Sequence, residues 1–86
     1  MKTTKLKEII KIVIFIKDIR KTDLADKLSF SYTALNNFLV RHSKMNFDHI
    51  EEIFKVLDFD FPMALVLSEK NLSRKELIES ILKIMR

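Results

Sequence analysis

Residues 19–57 read IRKTDLADKLSFSYTALNNFLVRHSKMNFDHIEEIFKVL, and this stretch decides the fold of the 86-residue chain. It contains two short helical patterns, residues 22–28 and 32–40, with the interruption Ser29-Phe30-Ser31 between them. Ser31 is a good N-cap for the second helix, because a serine hydroxyl accepts a hydrogen bond from a free backbone N–H of the first turn. The pattern therefore predicts two short helices joined by a three-residue turn.

Each of these helices has one apolar face that can pack against the other helix. The inward positions are Leu24, Ala25, Leu28, Leu35, Phe38 and Leu39. The outward positions of the second helix are Tyr32, Thr33, Asn36 and Asn37. Two short packed helices, the second with a polar outer face, predict a helix-turn-helix, whose second helix enters the major groove of DNA.

An isoleucine-rich segment precedes the motif, from about residue 4 to residue 19. Its run Ile12–Ile16 also fits a buried strand, because β-branched and aromatic residues favour strands. We favour a helix, since a chain with no glycine and one proline offers few strands for pairing. Such a helix is apolar on two sides, one covered by its own domain and the other, through Ile12, Ile14 and Phe15, by a partner.

Three more helices are predicted after the motif. Asn46 caps the first, over residues 47–57, and Pro62 begins a short one that runs to about residue 67. The last helix follows Ser73 and Glu76, which have the spacing of a capping box. The sequence thus predicts an all-α fold of five to six helices. Residues 1–68 form the helix-turn-helix domain, with its motif at about 21–41, and residues 69–86 form an added amphipathic helix.

The composition excludes several classes of site. With no cysteine, the chain has no disulfide and no thiolate ligand, and with no glycine it lacks the phosphate-binding loops of nucleotide-binding folds. His42 and His49 have no cysteine and no third histidine near them, so no metal site is predicted. No strained turn or oxyanion site is evident that would assemble the Ser, His and Asp residues, so no active site and no cofactor are predicted either. No small-molecule ligand is evident either. Six aromatic residues are predicted to lie in the core: Phe15, Phe38, Phe47, Phe54, Phe59 and Phe61.

Charge is distributed unevenly along the chain. Residues 1–45 hold ten Lys or Arg and four Asp or Glu, a net charge of +6, whereas residues 46–86 have a net charge of −2. An anionic partner is therefore expected to meet the first half. The apolar stretch near the start is interrupted by Lys11 and is too short for a membrane span. We accordingly expect a cytoplasmic protein that does not bind membranes.

The motif resembles the lambda-repressor/Cro-like helix-turn-helix family, also called the XRE family. About 39 of the 86 residues, 19–57, carry the resemblance. The matching positions are Leu24, Ala25, Leu28, Phe30, Ser31, Leu35, Asn46, Phe47, Ile50, Ile53 and Leu57. The resemblance implies an all-α domain that binds double-stranded DNA in a sequence-specific manner, most simply as a transcriptional regulator or repressor.

Three features depart from the family pattern. Ser29 stands where the family usually has glycine, and a positive φ there would cost a serine about 1 kcal/mol. Lys21 and Tyr32 stand where the family often has glutamine at the start of the two helices. The loop after the second helix lacks the usual Glu and Gly. The contacts to bases and phosphates are therefore expected to differ from those of the family.

The side-chain preferences of DNA bases and phosphates indicate which residues are candidates for contact with DNA. Asparagine pairs with adenine, threonine touches thymine methyls, and basic or hydroxyl side chains hold phosphates. The candidate base contacts are Tyr32, Thr33, Asn36 and Asn37. The candidate phosphate contacts are Lys21, Thr22, Ser31, Arg41, His42, Ser43 and Lys44.

A homodimer is also predicted, because one helix-turn-helix contacts too little DNA for specific affinity and two copies read two half-sites. The last helix is expected to form most of the interface and the first helix to contribute. The predicted interface residues are Ile12, Phe15, Leu77, Ile78, Ile81, Leu82 and Met85. The alternative function is a protein-interaction module, such as an antitoxin or an adaptor, that uses these apolar surfaces on another protein.

Overall fold

The computed structural model describes residues 3–41 and 43–85, and these residues form six α-helices and no strand. The helices are α1 (Thr3–Lys17), α2 (Lys21–Asp26), α3 (Tyr32–Val40), α4 (Phe47–Val56), α5 (Phe61–Glu69) and α6 (Arg74–Ile84). The predicted all-α fold is confirmed, and residues 12–16 lie in a helix. Because α2 ends at residue 26, residues 27–31 connect it to α3, which is longer than the three-residue turn predicted.

Helix α1 lies at the centre of the fold and packs against α3, α5 and α6. Three lysine or arginine side chains fix its position. Lys5 Nζ donates to the carbonyl oxygen of Leu72 at 3.0 Å, before α6, and Lys17 Nζ donates to that of Leu57 at 2.5 Å, after α4. Arg74 Nη1 lies 2.7 Å from Glu8 Oε2. Both ends of α1 are thereby attached to the second half of the chain.

One apolar core joins all six helices. Its buried members are Leu6, Ile9, Ile10, Ile12, Val13, Leu24, Leu35, Phe38, Leu39, Ile50, Ile53, Phe54, Leu57, Phe59, Ala64, Leu67, Leu77 and Ile81. The prediction that six phenylalanines are core residues is wrong for Phe15 and Phe47, which are exposed. Within the described ranges, no helix combines the length and the apolar character that crossing a membrane requires.

The last helix is part of this core. Ser73 Oγ accepts from the N–H of Glu76, and Glu76 Oε1 accepts from the N–H of Ser73, so the predicted capping box is present. Beyond it, Leu77 and Ile81 are buried within the chain, and so is Ile12 of α1. These three residues of the predicted interface therefore belong to the chain's own core, and their contact with a second copy stays a prediction. Of the predicted interface, Ile78 and Met85 are half-buried, and Leu82 and Phe15 are exposed.

Aspartate takes the place of glycine at two helix ends. Asp18 follows α1 with φ 54° and Asp58 follows α4 with φ 56°. In both cases two hydrogen bonds close the helix, such as Phe59 N–H to the carbonyl of Phe54 at 3.0 Å and Asp58 N–H to that of Lys55 at 3.1 Å. This is the Schellman arrangement, which needs a left-handed residue and usually has glycine there. Aspartate tolerates the left-handed region better than most residues, which explains how a chain without glycine ends these helices.

We expect Asp58→Gly to raise the free energy of unfolding by about 1 kcal/mol, because glycine adopts the left-handed region without the steric cost of a Cβ. Chemical denaturation measures the change. Asp58→Asn is the control, since it removes the charge but keeps a Cβ. If Asp58→Asn stabilises the protein as much as Asp58→Gly does, the charge and not the backbone conformation is responsible.

Candidate nucleic-acid interface

Helices α2 and α3 pack against each other and present one face of α3 outward. Leu24 of α2 is buried, as are Leu35, Phe38 and Leu39 of α3. Ser31 begins α3 as predicted, because its Oγ accepts from the N–H of Ala34 at 3.1 Å. The helix that the sequence proposed as the reader of DNA therefore has the predicted bounds and the predicted buried side.

The connection between the two helices is held by a glutamate of α4. Ser29 donates its backbone N–H to Glu52 Oε2 at 2.5 Å and its hydroxyl to Glu52 Oε1 at 2.6 Å. Ser29 is not among the described residues with positive φ, so the expected cost of replacing glycine there does not arise. Beside it, the rings of Phe30 and His49 lie 4.5 Å apart. The connection is thus fastened to α4 by a carboxylate and by a ring contact.

These hydrogen bonds favour the charged form of Glu52. Donation by the Ser29 hydroxyl, and then by its backbone N–H, lowers the pKa of the Glu52 carboxyl below its ordinary value of 4.5. A carboxyl whose pKa is lower in the folded state stabilises that state above its ordinary pKa. This contribution is lost as the pH falls through the lowered value. The connection between α2 and α3 is therefore expected to loosen in acid.

We expect Glu52→Gln to lower the melting temperature at pH 7, because the amide binds the two Ser29 donors less strongly than the carboxylate does. The difference from the wild type should begin to shrink as the pH is lowered below about 4.5, and it should vanish once the pH has fallen through the lowered pKa of the folded state, where the wild-type carboxyl also loses its charge. Thermal unfolding followed by circular dichroism between pH 7 and pH 3 measures both effects. Glu51→Gln, at an exposed position of the same helix, is the control. A difference that stays constant over this pH range would contradict the role given to the charge.

The outward face of α3 carries the four candidate base contacts. Tyr32 and Thr33 are exposed near its N-terminal end, and Asn36 and Asn37 are half-buried one turn later. Lys21, the first residue of α2, donates from Nζ to Asn36 Oδ1 at 3.0 Å. A predicted phosphate contact and a predicted base contact therefore bind each other.

This hydrogen bond changes what Asn36 can offer a base. Bidentate pairing with adenine uses the amide oxygen as acceptor and the amide nitrogen as donor. With one lone pair of Oδ1 accepting from Lys21, Asn36 keeps its NH₂ group to donate, for example to a purine N7, and only the second lone pair of Oδ1 to accept. Asn37 makes no such contact with Lys21 and keeps both groups for a base. Lys21 thus orients one asparagine and leaves the other independent.

The remaining candidate phosphate contacts surround α3. Thr22, Ser31, Arg41, Ser43 and Lys44 are all exposed. His42 lies outside the described residues. Lys21 is half-buried, since its ammonium group is engaged by Asn36. Exposed basic and hydroxyl side chains at the start of α2 and after α3 are well placed for the phosphates on either side of a groove.

The structure adds Lys7, which sequence reasoning missed. Its Nζ donates to the carbonyl oxygen of Arg41 at 3.4 Å and lies 5.1 Å from the centre of the Phe38 ring. A cleft of about 310 Å³ is lined by Lys7 together with Thr3, Thr4, Ser43, Lys44 and Met45. The start of α1 therefore extends the basic edge after α3. No local pattern indicates this, because more than thirty positions separate Lys7 from the loop.

Acidic side chains are concentrated on another face of the domain. A groove of about 1000 Å³ between α4 and the end of α6 is lined by one lysine, Lys55, and by five acidic residues: Asp48, Glu51, Glu52, Asp58 and Asp60. Within the described ranges, no three His, Asp or Glu side chains are arranged to hold a metal ion. The acidic groove is expected to repel a phosphate backbone, so a nucleic acid would approach from the side of α2 and α3.

Comparison with protein-family models, with curated proteins and with solved structures finds nothing that matches this chain. The residues and geometry of the α2–α3 face are therefore what indicates a function for this chain.

Proposed function

We propose that this chain binds double-stranded DNA in a sequence-specific manner and acts in the cytoplasm as a transcriptional regulator, most simply a repressor. Helix α3 enters the major groove, Tyr32, Thr33, Asn36 and Asn37 contact base edges, and the surrounding side chains hold phosphates. This is also the function that the resemblance to the lambda-repressor/Cro-like family implies. The active unit we propose is a homodimer that reads two half-sites.

One observation carries the proposal. Helix α3 is capped, is packed through its apolar side, and presents a polar face on which amide and hydroxyl groups stand beside each other. From residue 31 to residue 44 the chain has no acidic residue, while Arg41 and Lys44 follow the helix directly. Carboxylates repel the phosphates of DNA, so a lack of acidic residues is typical of a DNA-binding surface. A surface that binds another protein has no such restriction.

Selection from a pool of random duplexes tests this function. The full chain is incubated with the pool at low salt, bound duplexes are amplified, and the cycle is repeated. We expect an enriched sequence whose affinity exceeds that of scrambled DNA by about 10³-fold or more. Enrichment of no sequence would contradict sequence-specific binding.

The second candidate function is the protein-interaction module. Phe15 and Val40 favour it, because two exposed large apolar side chains around one groove form a patch that a second protein can cover. An antitoxin or adaptor would use this surface on another protein and would leave the polar face of α3 unused. Failure of the selection, with a stable folded chain, would favour this candidate.

A further inference from the structure

A groove next to the outward face of α3 is lined by apolar side chains that remain exposed in the fold. Among the described residues, Phe15 and Val40 are the most exposed of the large apolar side chains, at 85% and 61%. Both line one groove of about 540 Å³ between the end of α1 and the end of α3, together with Ile14, Ile19 and Leu39. Two such side chains around one groove indicate a docking surface rather than scattered exposure.

The charges at this groove identify its occupant. Lys11 and Asp18 line the same groove as Ile14 and Phe15, and Lys21 of α2 also lines it, with its ammonium group bound to Asn36. Along the chain the first four follow the spacing i, i+3, i+4, i+7: Lys11, Ile14 and Phe15 lie in α1, and Asp18 is the residue that follows the helix. Lys11 is at one end, the aspartate at the other and the apolar pair between them. The surface is therefore arranged as basic, apolar, apolar, acidic.

We propose that this surface, formed by Lys11, Ile14, Phe15 and Asp18 with Val40 beside them, binds the same surface of a second copy of the chain. Two α1 helices run antiparallel about a two-fold axis that passes between residues 14 and 15. Ile14 then faces Phe15 of the second copy, and Lys11 faces Asp18 of the second copy, because each lies three positions from the central pair. In this antiparallel arrangement each lysine lies opposite an aspartate of the second copy. Two ion pairs therefore flank the two Ile14–Phe15 contacts.

This interface agrees with DNA reading by α3. Val40, the last residue of α3, lies in the groove, so the C-terminal ends of the two α3 helices lie nearest the axis. Tyr32 and Thr33 lie at the other end of α3 and do not line the groove, whereas Lys21, a proposed phosphate contact, lies at its edge. The assignment rests on the homodimer of the proposed function but not on its DNA. It replaces the predicted interface on α6, whose Leu77 and Ile81 are buried.

Charge reversal tests the pairing directly, and it needs no DNA. Lys11→Glu alone places two carboxylates at each end of the interface, and Asp18→Lys alone places two ammonium groups there. We expect each variant to dimerise about tenfold more weakly than the wild type. An equimolar mixture of the two variants forms a mixed dimer in which both ion pairs are restored. At each end of that dimer, one acidic residue of the first variant faces one lysine of the second. Sedimentation equilibrium should therefore show the mixture dimerising about as tightly as the wild type.

Phe15→Glu is the second test, with Leu82→Glu as its control on an exposed position of α6. Both side chains lie on the surface, so circular dichroism should show a folded chain in each case. We expect Phe15→Glu to weaken dimerisation at least about thirtyfold and Leu82→Glu to leave it unchanged.

Three results would overturn the assignment: a monomeric wild type, a mixture no tighter than its components, or loss of the dimer in Leu82→Glu alone. Each of these is independent of DNA binding, which the duplex selection tests separately. A wild-type dimer that enriches no duplex would contradict the proposed function and leave this interface in place.

Discussion

Ile81→Ala is expected to lower the free energy of unfolding by about 2–5 kcal/mol, because truncating a fully buried isoleucine removes apolar contacts and leaves a cavity. Ile81 lies on the inner side of α6 with no exposed surface. A domain of this length has a total stability of only about 4–13 kcal/mol, at roughly 0.05–0.15 kcal/mol per residue. One substitution in the last helix is thus expected to remove a large part of the stability.

The control for this prediction lies on the next residue of the same helix. Leu82 is 45% exposed, so Leu82→Ala is expected to change the free energy of unfolding by no more than about 0.5–1 kcal/mol. Urea denaturation of the two variants and the wild type measures both values. Similar losses in the two variants would mean that α6 does not pack on the core through its Ile81 side.

The starts of α3, α4 and α6 followed from local chemistry, which is why they were predictable. Ser31, Asn46 and Ser73 accept hydrogen bonds from backbone N–H groups three residues ahead, and a short stretch of sequence suffices to show that. The residues that cover the apolar stripe of a helix are distant in the sequence and cannot be predicted from the stripe itself. The stripe of α6 is visible in the sequence, but its burial against α1 depends on residues almost seventy positions away, such as Lys5 and Glu8.

The same limit applies to the candidate site. The outward face of α3 was predictable from helical periodicity, since the inward positions of that helix are strongly apolar. The hydrogen bonds that shape the site were not, because they join side chains of different helices. Glu52 reaches back to Ser29, and Lys21 reaches forward to Asn36. Helical periodicity predicts which face of its own helix a residue occupies. It does not predict a contact with a side chain of another helix.

Substitution of the α3 asparagines and of the nearby lysines should separate base reading from phosphate binding. Asn37→Ala is expected to reduce the discrimination between the selected duplex and scrambled DNA about 5- to 150-fold, the equivalent of about 1–3 kcal/mol for one lost base contact. Lys44→Ala should instead weaken binding to both duplexes alike and reduce the slope of log affinity against log salt concentration by about one. Titrations of each variant with both duplexes at several salt concentrations measure these quantities.

Lys21 and Asn36 should not behave as independent residues in the same titrations. Because Lys21 Nζ holds Asn36 Oδ1, Lys21→Ala is expected to lower the affinity for both duplexes and also to change discrimination. The double variant should lose less than the sum of the two single losses, as residues in direct contact do. Lys75→Ala, which removes the same charge from an exposed position of α6, is the control and should change neither quantity. If Asn36→Ala and Asn37→Ala both keep full discrimination, α3 is not the reading helix, and the interaction-module hypothesis becomes the better account of this surface.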